Sequence, residues 1–354
     1  MKRVIVPFFI AHQGCPHQCV FCDQRAITGR DGELPQPAEL LRTIEAWRSS
    51  SGGGAVEVAF YGGTFTALSR RQQETLLQPL QPLLASGRVS AVRLSTRPDA
   101  VDAANADFLR AAGVSLVELG VQSMDDAVLA AAGRGHTAAA TIAAFATLRA
   151  AGLQVGAQLM PGLPGESIAG AIGSFRRVVA LKPNLLRIYP AVVLKGTALA
   201  TLYQQGSYQP LSLDTAVNLC KIMLHDAARA AVPVIRAGLQ PTEDLAAGSA
   251  VLAGPCHPAF RQLAEGERWY DLLQILAVRF DSGARLVLQV PPARIADVVG
   301  QKRRNIIRLD TFSGRTVAVV TADHSLPAGA IRISDSSRSI SGDILRDLTY
   351  REDF

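Results

Sequence analysis

The sequence predicts an α/β fold in which six strand–helix units form a partial barrel and a small α+β domain follows. Short apolar runs alternate with segments of helical pattern, an order typical of a parallel sheet with right-handed crossovers. Motifs of glycine and polar residues fall where strands end, which is where such barrels place their chemistry. Residues 282–354 instead follow a strand–helix–helix–strand–strand order.

The strands and helices of the barrel are predicted to alternate, except that two helices follow the fourth strand. Strands are predicted at 4–10, 56–61, 91–95, 116–121, 155–160 and 184–189. Helices are predicted at 41–47, 76–84, 104–111, 126–132, 139–151 and 168–181. These units are expected to curl into a partial (β/α)6 barrel of TIM type.

Three domains are predicted along the chain. The barrel occupies 1–210, a mainly helical extension that closes it occupies 211–281, and a basic module occupies 282–354. With 354 residues the chain can bury a large core and hold more than one domain. Within the extension, residues 235–242 are predicted to form one further strand and a loop over the site.

The composition is that of a soluble globular protein, with 48% hydrophobic and 19% charged residues. The low disulfide potential of five cysteines favours a reducing, cytoplasmic environment. The apolar run after Lys2 and Arg3 is short and broken by Pro7, so neither a signal peptide nor a membrane span is expected. The net charge of +6 is compatible with a polyanionic partner.

Three of the five cysteines, Cys15, Cys19 and Cys22, lie close together just after the first predicted strand. Three thiolates on one tight loop can hold three irons of a four-iron, four-sulfur cluster and leave the fourth iron open to a small molecule. A structural zinc site needs four ligands, and His12 or His17 is available as the fourth. A disulfide with a spare thiol fits the clustering poorly. The pattern therefore favours an iron–sulfur cluster and leaves zinc open.

The spacing Cys-x3-Cys-x2-Cys resembles the signature of the radical S-adenosylmethionine (radical SAM) enzymes. The resemblance implies one 4Fe–4S cluster on Cys15, Cys19 and Cys22, whose open iron chelates the amino and carboxylate groups of S-adenosylmethionine. It also implies that the reduced cluster cleaves S-adenosylmethionine to a 5′-deoxyadenosyl radical, with an electron donor such as flavodoxin or ferredoxin. Cys220 and Cys256 are too few for a second cluster, which disfavours sulfur insertion of the methylthiotransferase kind.

Motifs at the ends of the second and third strands match the same family. Two adjacent glycines, Gly62 and Gly63 before Thr64, allow the backbone to approach a ligand, although such a pair is also typical of an ordinary turn. Arg97 can fork onto a carboxylate, whereas Asp99 next to it is a candidate helix cap. The resemblance places the glycine motif at the amino group of S-adenosylmethionine and Arg97 beside the cofactor.

Further candidates lie at the ends of the fourth, fifth and sixth strands. Glu118 and Gln122 alternate in phase, so both can point into the barrel. A buried carboxylate needs a partner, which a bound ribose or an arginine can supply. Arg134 lies in a segment that also matches the family and is a candidate carboxylate partner and cofactor-binding residue. The resemblance assigns the Glu-Leu-Gly-Val-Gln-Ser motif to the ribose and carboxylate region of the cofactor, and the loop that includes Leu159 to its adenine. Arg187 is a candidate to face the substrate.

The basic module, 282–354, resembles a KH domain, in which a Gly-x-x-Gly loop between two helices clamps a nucleotide backbone. Gly300 begins such a loop, but Arg303 stands where the second glycine is expected. Lys302, Arg303, Arg304 and Arg308 give this loop a density of positive charge that suits phosphates. A solvated basic helix explains the charge equally well. The predicted RNA contacts are Gly300, Lys302, Arg303 and Arg304.

The sequence Gly-Gly-Thr-Phe at the second strand resembles the Elongator-type tRNA-modifying enzymes, and the likeness covers about residues 1–250. Only the short basic module follows in these 354 residues, which puts acetyl-CoA-dependent carboxymethylation of uridine in doubt. We therefore expect a radical SAM enzyme that acts on RNA, in particular tRNA. Two alternatives stay open: a radical SAM enzyme on a small molecule, resembling the coproporphyrinogen dehydrogenase-like proteins, and a non-catalytic iron–sulfur RNA-binding protein.

Overall fold

The computed structural model describes residues 4–23, 33–239 and 250–351. The chain divides into two compact units, of which the first comprises Met1–Leu211 with Gln240–Pro255. The second comprises Ser212–Leu239 with Cys256–Phe354. The domain limits predicted from the sequence stay predictions. Within the described ranges, no helix combines the length and the hydropathy that a membrane span requires.

Six strands of the first unit lie side by side in sequence order, and every neighbouring pair is parallel. They are β1 (Val4–Phe9), β2 (Val56–Tyr61), β3 (Val89–Thr96), β4 (Val114–Gln122), β5 (Gln154–Leu159) and β6 (Leu185–Ile188). This arrangement confirms the predicted α/β fold with a partial barrel. Because all the strands run the same way, their carboxyl ends meet at one edge, and the candidate motifs meet there too.

Helices connect the strands of the first unit. They span Pro37–Ser50, Arg70–Leu77, Gln81–Ala85, Ala103–Ala111, Asp126–Ala131, Ala138–Ala150, Ile168–Ala180 and Ala198–Gln204. Most begin at a side chain that accepts a backbone N–H, namely Ser69, Asp102, Asp125, Thr137, Ser167 and Thr197. These caps fix where each helix begins after its strand.

One predicted helix is in fact divided. The segment 76–84 contains the end of one helix, a 3-10 turn at Gln78–Leu80 and most of a second helix, Gln81–Ala85. Pro79 and Pro82 lack the backbone N–H that a continuous helix needs, and their rings clash with the preceding turn. The leucine spacing alone did not reveal this break. A further short pair, Val193–Leu194 with Val251–Ala253, is antiparallel and was not predicted.

The second unit contains the helices Leu213–Arg229 and Phe260–Ala277 and the strand Val234–Ala237. The strand begins one residue before the predicted segment 235–242 and covers its first three residues. The residues of that segment from 240 onward lie outside the described residues. The rest of the unit has the strands Arg285–Val290, Thr316–Ala322, Ala330–Ser334 and Ser339–Asp343, with the helices Ile295–Val299 and Arg304–Ser313 after the first strand. The strand at Ser339–Asp343 was missed because its serines, glycine and aspartate do not read as a strand.

The four C-terminal strands form one sheet, in which Arg285–Val290 pairs in parallel with Thr316–Ala322 and antiparallel with Ala330–Ser334. The order strand–helix–helix–strand–strand that the sequence predicted is therefore present. The helix Phe260–Ala277 shares the core of this sheet through Trp269, Leu273 and Leu276. The loop that carries the basic residues lies between the two short helices.

Candidate active site

The cysteine loop follows β1 and is packed against the end of β2. Cys19 is buried, Cys22 is partly buried and Cys15 is exposed. The Sγ atom of Cys15 lies 3.3 Å from the hydroxyl oxygen of Thr64. Gly14 has φ of 72°, and a Cβ there would come within 2.3 Å of the Thr64 carbonyl oxygen. Only glycine allows the loop to approach β2 this closely.

The glycine motif holds the cysteine loop. Gly62 accepts a hydrogen bond from the backbone of His12, and the N–H of Thr64 donates to the carbonyl of Gln13. A Cβ at Gly63 would lie within 2.5 Å of the Gln13 carbonyl oxygen. The close approach that the sequence predicted for a ligand is thus used here by the chain itself. The contact of Gly62, Gly63 and Thr64 with a cofactor stays a prediction.

A second turn, residues 132–135, grips the other side of the cysteine loop. The N–H of Val20 donates to the Ala132 carbonyl over 3.1 Å. The Nη1 group of Arg134 lies 3.2 Å from the Sγ of Cys19, and its Nη2 group donates to the Gly120 carbonyl over 2.6 Å. Gly135 has φ of 68°, and the ring of His17 occupies the place where its Cβ would be. This turn therefore positions the cysteine loop through contacts of Val20, Cys19 and His17.

Arg97 supports the same turn. Its Nε and Nη2 groups form a fork on the carboxylate of Asp99, both at 2.9 Å, and Nη2 also donates to the Arg134 carbonyl. Asp99 is therefore the carboxylate that Arg97 binds here. Burial acts to raise the pKa of Asp99, but the hydrogen bond and charge of Arg97, with smaller contributions, outweigh it and lower that pKa. Arg97 is buried, with its Nη1 group lacking a hydrogen-bond partner among the described residues.

Glu118 lies at the centre of a polar network inside the barrel. Its two oxygens bind the Nε and Nη2 groups of Arg187, and the Tyr61 hydroxyl donates to it over 3.1 Å. The Nη1 of Arg93 is 3.6 Å away, and Arg93 also binds Glu57 over 2.5 Å. The side chain of Glu118 is only 3% exposed. An arginine is therefore its partner, but this arginine is Arg187 and not Arg134.

The network fixes the ionisation of its members. Burial opposes the charge of Arg187, but the hydrogen bond and charge of Glu118 outweigh it and raise the pKa of that guanidinium. Burial, and then the charge of Glu118, raises the pKa of Tyr61. Tyr61 is thus a neutral donor, and Arg187 also donates to the Tyr189 hydroxyl over 3.2 Å. These two tyrosines present phenol groups at the ends of β2 and β6.

Gln122 ends β4 in a strained conformation, with φ of 66° in the left-handed region. Its carbonyl accepts the N–H of Met160, which ties β4 to the loop after β5. Its side-chain oxygen is 3.5 Å from the amide of Gln158. Leu159, which follows Gln158, is buried in β5. Gln122 and Leu159 thus lie at the same sheet edge as the cysteine loop.

The loop after β5 is anchored by Glu166. Its carboxylate accepts the Gly162 N–H over 2.8 Å and the Ser123 hydroxyl over 2.9 Å. Burial raises its pKa to about 7 in spite of these bonds. The Tyr208 hydroxyl binds the Gly162 carbonyl over 2.6 Å from another side. The Glu166 carboxylate and the Tyr208 hydroxyl therefore both hold this loop.

His136 directly follows the turn, and its ring lies close to the backbone of β4. Its Nε2 atom is 3.3 Å from the Val121 carbonyl. Burial, followed by the charge of Arg134, lowers the pKa of His136 to about 4, so the ring is neutral at pH 7.

The basic loop of the second unit has an unusual backbone. Lys302 and Arg303 adopt φ of 52° and 62°, a left-handed conformation that favours glycine. Arg303 therefore has a backbone conformation that favours glycine, at the position where the KH resemblance predicts the second glycine. Asn305 holds the loop by donating to the carbonyls of Asp297 and Val298 over 3.3 and 3.2 Å. A Cβ at Gly300 would lie 2.9 Å from Asn305.

The predicted cations of this loop differ in their surroundings. Arg304 is exposed and lies 4.0 Å from Asp214, whereas Arg308 binds Glu267 over 2.6 Å. The guanidinium of Arg308 also stacks over the ring of Tyr270, 3.7 Å from its centre. Lys302 and Arg303 are exposed. Arg308 was predicted to contribute to the positive charge of the loop, but its guanidinium is engaged by Glu267 and Tyr270 within the same unit.

The residues present suit a cluster by their chemistry. Three thiols lie on one loop, and a guanidinium N–H points at the sulfur of Cys19. Within the described ranges, no three His, Cys, Asp or Glu side chains are placed to hold a metal ion. This donor set fits a cluster that three cysteines would hold.

Sequence reasoning missed Glu57, Arg93 and Tyr61. Glu57 and Arg93 are charged residues inside apolar strands, the same signal that singled out Glu118. Their registers with neighbouring strands place them on the face that carries Glu118. Applying that rule to every strand would have found them.

Comparison with known proteins agrees with this geometry. Residues 9–176 match the model of the Radical SAM superfamily, and residues 183–269 match that of the Radical_SAM C-terminal domain. The two matches together cover more than two thirds of the chain. The chain belongs to the radical SAM superfamily, which uses a 4Fe–4S cluster and S-adenosylmethionine.

Individual relatives include enzymes of tRNA. Over 256 residues the chain is 27% identical to a tRNA uridine(34) acetyltransferase of Methanocaldococcus jannaschii, covering 61% of this chain and 47% of the relative. Over 185 residues it is 29% identical to the human Elongator complex protein 3, covering 46% of this chain and 34% of the relative. The chain spans about half, or less, of the length of these relatives.

A solved structure supports the fold. The archaeal Methanocaldococcus infernus Elp3 with an N-terminal deletion matches with a TM-score of 0.59 at 22% identity. The match covers 77% of this chain and 63% of that one.

Proposed function

We propose that the protein is a radical SAM enzyme that holds one 4Fe–4S cluster through Cys15, Cys19 and Cys22 and modifies RNA, in particular tRNA. When bound and reduced, the cluster supplies the electron that cleaves S-adenosylmethionine to methionine and a 5′-deoxyadenosyl radical. A flavodoxin or ferredoxin is the proposed electron donor. The observation that carries the proposal is the docking of the three-cysteine loop at the carboxyl ends of parallel strands, beside Thr64 and Arg134.

The chain's own residues have distinct proposed roles at this edge. Gly62, Gly63 and Thr64 hold the cysteine loop close to the end of β2 through backbone hydrogen bonds and the absence of a Cβ at Gly63. Gln122 and Leu159 line the approach for the ribose and adenine of S-adenosylmethionine. Glu118 binds Arg187 and so positions groups that face the substrate. These are roles of binding and orientation, which is what a site for a reactive radical requires.

Two observations support an RNA substrate. Relatives that cover about half of this chain or more bear the name of a tRNA-modifying enzyme. In addition, Lys302 and Arg303 project from a loop whose backbone Asn305 holds in place. Exposed cations on a fixed loop at the start of a helix are suited to phosphate.

The first experiment tests the enzymatic activity. Anaerobically reconstituted, chemically reduced protein is mixed with S-adenosylmethionine, with and without total tRNA, and 5′-deoxyadenosine is quantified. We expect formation above that of the triple Cys→Ala variant at positions 15, 19 and 22. A fully loaded and reduced protein that forms none would favour the non-catalytic iron–sulfur protein.

The second experiment tests the substrate. RNA from a deletion strain is digested, and its nucleosides are compared with wild type by mass spectrometry. We expect one modified nucleoside to disappear and to return on complementation. An unchanged nucleoside profile, with intact cleavage of S-adenosylmethionine, would favour a small-molecule substrate.

A third experiment tests the basic loop. Lys302, Arg303 and Arg304 are changed together to Glu, and tRNA binding is measured against salt concentration. We expect weaker binding and a flatter slope, by roughly 0.7 per lost phosphate contact on a single strand. The matched control makes the same charge change at exposed arginines of the first unit, namely Arg42, Arg71 and Arg110. Equal binding by both variants would remove the loop from the interface.

A further inference from the structure

We propose that Arg134 sets the reduction potential of the cluster through its contact with Cys19. This inference rests on the cluster assigned under the proposed function. The sequence pointed to Arg134 as a partner for a carboxylate. The structure instead places its Nη1 group 3.2 Å from the Cys19 sulfur.

The contact is built rather than incidental. Arg134 is buried, with 6% of the residue's surface exposed. Its Nη2 group is fixed by the Gly120 carbonyl, and its own carbonyl accepts a bond from Arg97. Both the guanidinium and the backbone carbonyl of Arg134 are therefore held by hydrogen bonds. The guanidinium has little freedom to move away from the sulfur.

The residues beside Arg134 bring the cysteine loop to it. Gly135 leaves room for the His17 ring, which packs where a Cβ would otherwise lie. The Val20 N–H binds the Ala132 carbonyl. Cys19 lies between His17 and Val20 in the sequence, so its sulfur is held next to the guanidinium from both sides.

The consequence follows from charge. Hydrogen bonds to the sulfurs and the surrounding charge set the potential of an iron–sulfur centre. Reduction adds one negative charge to the cluster, and a fixed buried cation stabilises the reduced form more than the oxidised one. Arg134 therefore raises the potential, which eases reduction by a donor protein. Loss of the cation shifts the equilibrium toward the oxidised cluster.

The test is a redox titration of the anaerobic, iron-loaded protein without S-adenosylmethionine, followed by the EPR signal of the reduced cluster. Arg134→Gln removes the charge and keeps an N–H donor. At the wild-type midpoint we expect its ratio of reduced to oxidised cluster to fall about tenfold, which is a shift of about 59 mV for one electron. Arg134→Lys keeps the charge on a shorter side chain, and we expect it to shift the reduction potential less. Arg71→Gln is the control, because it removes an exposed arginine of the same unit.

The outcomes separate the two proposals. If the wild-type protein loads no cluster, the proposed function itself is wrong. If Arg134→Gln loads fully and its ratio changes less than twofold, the assignment of Arg134 is wrong while the cluster stands. If both Arg134 variants lose iron and Arg71→Gln does not, the contact retains the cluster rather than tuning it, which also overturns the redox role.

Discussion

Replacing Glu118 by Gln tests whether the polar network inside the barrel stabilises the fold as the contacts indicate. The change keeps the shape of the side chain and removes its charge. Arg187, with a side chain 12% exposed, then loses its only carboxylate partner among the described residues. Arg93 keeps Glu57 at 2.5 Å and is affected less. Glu118→Gln should therefore destabilise chiefly through Arg187.

The expected magnitude follows from that geometry. Removing one partner of a buried ion pair costs about 3–5 kcal/mol, because the other charge is left uncompensated. Since Arg93 retains a partner, we expect a loss of about 3 kcal/mol in the free energy of unfolding. Replacing both Glu118 and Arg187 by Met removes both charges, and we expect it to recover most of this loss.

The assay is urea denaturation followed by circular dichroism, with all proteins in the same state of iron loading. Glu33→Gln, at an exposed carboxylate, is the matched control and should change stability by less than about 0.5 kcal/mol. An equally small effect of Glu118→Gln would refute the reasoning. So would a double Met variant less stable than Glu118→Gln, because the cost would then come from packing and not from the unpaired charge.

Three further outcomes are expected. Changing Cys15, Cys19 and Cys22 together to Ala should abolish the iron content and the cluster absorbance of reconstituted protein; iron near four per chain in that variant would contradict the assignment. Folding raises the pKa of Glu166 from 4.5 to about 7, so the folded state binds more protons than the unfolded state between these pH values. The contribution of Glu166 to the free energy of unfolding is therefore present below about pH 4.5 and is lost as the pH rises toward 7. Thermal melts of Glu166→Gln should lack this decline, which amounts to about 3 kcal/mol in the wild type; parallel pH profiles of the two proteins would contradict it. Arg303→Gly should raise the free energy of unfolding by about 1 kcal/mol, because glycine adopts the left-handed conformation without strain. The same change should weaken tRNA binding if Arg303 contacts phosphate. Tighter tRNA binding would show that the Arg303 side chain blocks the approach of the RNA to the loop backbone.

The order of strands and helices and the position of the motifs at strand ends could be predicted from the amino-acid sequence alone. This was possible because apolar periodicity and the cysteine spacing are local properties of the chain. The same locality explains the error at 76–84, where the leucines kept a helical spacing through Pro79 and Pro82. It also explains the missed strand Ser339–Asp343, whose pairing with Ala330–Ser334 is made by backbone groups that side-chain patterns do not reveal.

Which polar side chains contact one another could not be predicted from the sequence and follows from the packing of the folded chain. Glu118 needed a partner on energetic grounds, but its choice of Arg187 depends on the register between β4, β5 and β6. Arg134 was expected at a carboxylate and lies at the sulfur of Cys19, 115 residues away in the chain. Contacts of this kind depend on distances of a few ångströms between strands and loops far apart in sequence. The sequence specifies the residues that need partners, and the packing of the sheet selects the partners.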